Sequence, residues 1–150
     1  MRRLLSLQRG WAFALFLFLD IVCVGMGMGI PIFCILLGLP VGWYLVRRTG
    51  AGPLDMRQML SQTLRGAALT AACTVLGMAI LWGRFVPLLF DPGADLVNLG
   101  IPLILYEPWA SLAGWLALMI AISPFLQFLM TLFGSHLTML LRPPRPDHPV

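Results

Sequence analysis

Thirty-six consecutive residues, Trp11 to Val46, carry a single charge, Asp20. One membrane-crossing helix needs about 20 apolar residues, so this run is too long for one span and just long enough for two short ones. The break belongs at Gly25-Met-Gly-Met-Gly-Ile-Pro31, where alternating glycines and a proline permit the backbone angles of a tight turn. Arg2, Arg3 and Arg9 precede the run, and Arg47 and Arg48 follow it. Basic residues at both ends predict a hairpin with both ends on the cytoplasmic side.

The rest of the chain agrees with a lipid solvent. Of the 150 residues 59% are hydrophobic and 11% charged, against roughly a quarter charged in a soluble domain. A soluble fold would leave much of that apolar surface in water, at about 25 cal/mol per Å². The ten arginines cluster in short groups at the ends of apolar runs, as juxtamembrane anchors do, which argues against a nucleic-acid partner. Cys23, Cys34 and Cys73 sit inside apolar runs without C-x-x-C spacing and read as small packing residues. The Met1-Arg-Arg start looks like a secretory signal, yet Asp20 interrupts the apolar run and no small-x-small site follows; a retained helix is expected.

Beyond Arg48, Asp55 to Arg65 has Met56, Met59, Leu60 and Leu64 on one face, predicting a cytoplasmic amphipathic helix over 55–65, with Asp55 and Gln58 as a capping box. A third span is expected over 66–83, rich in Ala, Thr and Gly. The segment from Phe85 to Pro108 holds Asp91, Asp95 and Glu107 and the turn signal Asp91-Pro-Gly93; it is acidic, as an outer loop should be, and apolar enough to hug an interface. The last apolar stretch, Trp109 to Leu141, has 33 residues. A second hairpin would strand Arg142 and Arg145 outside, so one span over 109–131, kinked at Pro124, with an interfacial helix after it, is preferred. The expected architecture is all-α: one polytopic domain over 1–141 with spans at 11–27, 30–46, 66–83 and 109–131, a proline-rich disordered tail over 142–150, and both termini cytoplasmic.

Asp20 is the candidate functional residue. A carboxylate near mid-span costs about 2.5 to 3.5 kcal/mol, so it needs a proton or a partner. At ~1.5 Å per residue Asp20 lies ~13 Å from the inner end of its helix. Thr74 and Ser123 fall near the same depth, so the three form a candidate intramembrane polar layer. Pro40 also leaves the Leu36 carbonyl without its helical donor near that depth. Arg84, ~27 Å from the inner end, is too far out to pair with Asp20. Packing alone is one role for such a carboxylate; proton coupling or sensing is another. Trp11, Trp43, Trp82, Trp109 and Trp115, with Arg84, are expected as interface anchors. No nucleophile elbow, zinc-protease helix, phosphate loop or metal-ligand spacing is present, and no enzyme activity or cofactor is expected.

Gly38-Leu-Pro40 in the first hairpin, Arg57-Gln-Met-Leu60 leading into the third helix, and the closing Gly134-Ser-His-Leu-Thr-Met-Leu-Leu-Arg-Pro143 together resemble the four-helix sensor-domain family of bacterial membrane proteins, often found ahead of histidine kinase domains. The resemblance covers most of the chain in layout. It implies a non-enzymatic sensory or anchoring module of the bacterial inner membrane. The first cytoplasmic loop is shorter than in that family and no kinase domain follows, so output would pass to a separate membrane partner or through a homo-oligomer. The alternatives are an accessory subunit of a larger membrane complex and a small proton-coupled transporter centred on Asp20.

Overall fold

The computed structural model describes residues 9–26, 31–49, 56–99 and 105–141, and every regular element among them is helical. The middle of the glycine turn, Asp55 of the capping box, part of the apolar loop and the proline-rich tail lie outside the described residues. Four helical rods result. The first two are α1 (Arg9–Met26) and α2 (Ile32–Thr49), and the third is α3 (Met56–Trp82), prolonged by a 3-10 segment (Gly83–Phe90). The last consists of α4 (Pro108–Ala117), a π-helical turn (Leu118–Ile122) and α5 (Ser123–Leu140) in unbroken succession. By length and apolar composition the rods 57–90 and Pro108–Leu140 suffice to cross a membrane, whereas α1 is apolar over a shorter stretch.

Two of these rods differ from the sequence expectation. The amphipathic helix and the third span are one continuous α3, because Met59, Thr63, Ala67, Thr70, Thr74 and Met78 form a single buried stripe from end to end. Their spacing of three or four residues keeps one face inward, and Arg65-Gly66 offers no break in it. The last apolar stretch is likewise continuous to Leu140. Pro124 has no N–H to give the Ile120 carbonyl, and its ring crowds that carbonyl. The helix widens in the turn before it, where both the backbone N–H and the hydroxyl of Ser123 bond to the Leu118 carbonyl, the hydroxyl at 2.6 Å. Widening of this kind is the usual form of a π-bulge.

The rods alternate in direction. Gly38 abuts Gln127 and Thr131 while Gly42 abuts Thr131 and Ser135, so α2 and α5 run parallel. Asp20 meets Thr74, and four residues on Val24 and Met78 share the apolar core, so α1 and α3 are parallel too. One end of the bundle therefore carries Arg47, Arg48 and Arg57, and the other carries Arg84, Asp91, Asp95 and Glu107.

The interior has two tiers. Toward the acidic end lies an apolar core of Val24, Cys34, Met78, Leu112, Trp115, Leu116 and Met119, roofed by Phe85, Leu88, Leu89 and Leu96 from the loop. Trp82 and Trp115 meet edge-on at 4.2 Å between ring centroids. The Asp91-Pro-Gly93 turn closes through the Gly93 N–H, which donates to the Asp91 carboxylate at 2.9 Å. Toward the arginine end small and polar residues, Thr63, Ala67, Thr70, Gln127, Thr131 and Ser135, join Phe16, Val46 and Met59 in the interior. There α2 and α5 touch backbone to backbone: a Cβ on Gly38 would stand 2.5 Å from the Gln127 carbonyl oxygen, and one on Gly134 would stand 2.6 Å from that of Leu39. A Cβ on Gly42 would run into the Thr131 carbonyl oxygen.

Candidate functional site: a buried polar node at Asp20

Every fourth residue of α1 from Phe16 onward faces inward, giving the buried stripe Phe16, Asp20, Val24. Asp20 is thereby committed to the interior by helical geometry, with 4% of its surface exposed. The Thr74 hydroxyl of α3 stands 3.0 Å and 2.9 Å from its two carboxylate oxygens. From α5 the Gln127 amide nitrogen approaches Oδ1 at 3.5 Å. Three helices therefore converge on one carboxylate.

Of the expected layer, Asp20 and Thr74 are brought together. Ser123 is fully buried but spends its hydroxyl on the Leu118 carbonyl at the π-turn. Gln127, one turn further along α5, takes the place at Asp20 and was missed. Its signal is present in the sequence: Ser123, Gln127, Thr131 and Ser135 recur every four residues in an otherwise apolar stretch, so they fall on one helix face. The hydroxyls of that column are satisfied locally, Thr131 donating to the Gln127 carbonyl at 2.9 Å and Ser135 to that of Thr131 at 2.7 Å. Ser135 also reaches the Gly42 carbonyl across the helix pair at 3.2 Å. Such i−4 bonds let hydroxyls be buried without leaving orphaned polar atoms.

The anchors divide. Trp11 is exposed, Trp43 lies at the arginine end with the Arg47 guanidinium 6.0 Å from its ring centre, and Arg84 stands 4.9 Å over Phe85 at the other end. Trp109 is exposed and its indole N–H donates to the Leu89 carbonyl at 2.8 Å. Trp115, at 3% exposure, is a core residue and not an anchor. It falls on the inward face with Leu112, Leu116 and Met119. Trp82 is half-buried against it, and neither of these two indole N–H groups has a partner among the described residues.

Comparison with known protein families, curated proteins and solved structures finds no match. The node must be read from its own chemistry. Hydrogens are short in it. The Thr74 hydroxyl carries one hydrogen but faces both Asp20 oxygens and the Thr70 carbonyl, the last at 3.2 Å. Among the described residues the buried Gln127 carbonyl oxygen has no partner, a cost of about 1 to 3 kcal/mol for such a group. Cys23, Cys34 and Cys73 are free thiols. Among the described residues no group of three His, Cys, Asp or Glu converges as metal ligands would.

Proposed function

We propose that the chain is an integral membrane module of four spans, sensory or anchoring in role, that acts through helix contacts with a membrane partner or a second copy and not through chemistry of its own. One observation carries this reading: polar side chains are buried between the helices while large apolar ones face outward. Asp20, Thr63, Thr74, Ser123, Gln127, Thr131 and Ser135 are buried, while Phe18, Ile21, Leu76, Ile80, Phe125 and Phe133 stand outward. In water an apolar patch of that extent is untenable for a lone soluble domain. In lipid the same arrangement is the expected one, with small and polar residues at helix interfaces and large apolar ones against the acyl chains.

The charge distribution supports the orientation. Arg47, Arg48 and Arg57 gather at one end, which by the positive-inside rule is the cytoplasmic one, and the acidic loop then lies outside. The Asp20 node supports a role in helix contact, because it joins α1 to α3 and α5 by hydrogen bonds that only a particular arrangement of the three makes.

Affinity purification of the tagged protein from its native membrane in mild detergent, with mass spectrometry of the co-purifying proteins, tests the role. A stoichiometric kinase or regulator is expected for a sensory module. A fixed set of larger membrane subunits would instead make the chain an accessory subunit. A chain that purifies alone, and whose Asp20→Asn variant loses proton-driven uptake in vesicles while staying folded, would make it a transporter.

A further inference from the structure

At the arginine end, where Gly134 lets α5 close on the backbone of Leu39 of α2, the two helices flank a groove of about 340 Å³ open to the outside of the bundle. On the α2 side the wall is Leu39, Trp43 and Arg47; on the α5 side it is Leu137, Thr138 and Leu141. Leu39, Trp43 and Arg47 are spaced by four, so they stack on one face, and ~12 Å of helix rise separates the first from the last. Because α2 and α5 are parallel, Gly134 lies level with Leu39, and Leu141 lies toward Arg47. The groove therefore grades outward from aliphatic to aromatic to cationic, in the order of acyl chain, interfacial region and headgroup of a phospholipid.

We propose that this groove binds an anionic phospholipid of the cytoplasmic leaflet, its phosphate at the Arg47 guanidinium and one acyl chain along Leu39 and Leu137. The inference rests on the membrane reading above. Charge complementarity selects the occupant. Arg47 is exposed, and its guanidinium lies 6.0 Å from the Trp43 ring centre, which holds it along the groove wall. Among the described residues the carboxylates are Asp20 at mid-height and Asp91, Asp95 and Glu107 at the far end, so none competes for Arg47. Basic sites between helices on the cytoplasmic side are a recurrent mode of anionic lipid binding.

Native mass spectrometry of the full chain, released from detergent with phosphatidylglycerol or with phosphatidylcholine at equal concentration, reads the bound lipid directly. Wild type should retain phosphatidylglycerol in preference to phosphatidylcholine. Arg47→Gln should lower that affinity about fivefold, the equivalent of about 1 kcal/mol per interfacial cation, while Arg47→Lys keeps most of it. Arg65→Gln, an equal loss of charge outside the groove, should leave the preference intact. Equal retention of both lipids, equal damage from Arg65→Gln, or a dimer that neither lipid nor Arg47→Gln disturbs would each overturn the proposal. Extraction by alkaline carbonate separates the two levels. A chain released from the membrane by carbonate fails the membrane reading, whereas a resistant chain without lipid preference fails the groove alone.

Discussion

Asp20 is held by a hydroxyl from one neighbouring helix and an amide from another, and the larger share belongs to Thr74 because its oxygen lies at 2.9 to 3.0 Å where Gln127 stands at 3.5 Å. Interhelical hydrogen bonds inside membrane proteins couple their partners by about 0.6 kcal/mol on average and about 1.7 at most. A double-mutant cycle of Asp20→Ala and Thr74→Ala, followed by unfolding in a dodecyl sulfate titration, should return a coupling in that range. The Asp20/Gln127 cycle should return less. A coupling of zero between Asp20 and Thr74 would dismiss the node as an energetic unit. Asp20→Asn keeps both a donor and an acceptor at the site and should unfold close to wild type in the same titration. Asp20 and Thr74 were legible as a pair from helical rise alone, since depth along a span follows from counting residues. Gln127 was not, because depth alone cannot choose between Ser123 and a residue one turn away; that choice is made by the π-turn, which claims the Ser123 hydroxyl.

Among the elements, α2 and α5 form the tightest pair, and glycine is what lets them approach. Gly38 and Gly42 are four apart, the small-x-x-x-small spacing that brings helix backbones together in lipid. Gly42→Ala places a methyl group against the Thr131 carbonyl and 2.7 Å from the Ser135 nitrogen, where only backbone movement relieves it. The expected loss is about 1 to 3 kcal/mol, as for overpacking in general. Gly77 on α3 has nothing among the described residues within 4 Å of the same position, so Gly77→Ala should be neutral or gain up to about 1 kcal/mol through helix propensity. Equal effects of the two substitutions in one unfolding assay would rule out backbone contact as the reason for Gly42. The existence of the helices could be read from apolar runs and charge, but where the third rod starts and the fourth ends could not. Arg65-Gly66 looks like a boundary in composition, yet the inward stripe from Met59 to Met78 passes through it in phase, and packing follows the stripe. The interior position of Trp115 escaped for a related reason, since an aromatic ring near a span end suits an interface as well as a core.

For the whole molecule, the alternation of four rods places Ser61 and Asp95 at opposite ends. With Cys23, Cys34 and Cys73 replaced by alanine, single cysteines at positions 61 and 95 should react with an impermeant thiol reagent from opposite sides of sealed vesicles. Reaction of both from one side would refute the four-span arrangement. The order in which such a chain leaves the ribosome adds a constraint of its own. Asp20 emerges 54 residues before Thr74 and 107 before Gln127. On the membrane reading the first hairpin therefore enters the bilayer with its carboxylate unaccompanied, bearing about 2.5 to 3.5 kcal/mol until the third rod arrives. Biogenesis should then pause on a half-committed hairpin that lingers at the insertion machinery, so a chain cut at Thr49 would be retained there or degraded, while one cut after Trp82 would be released into the lipid.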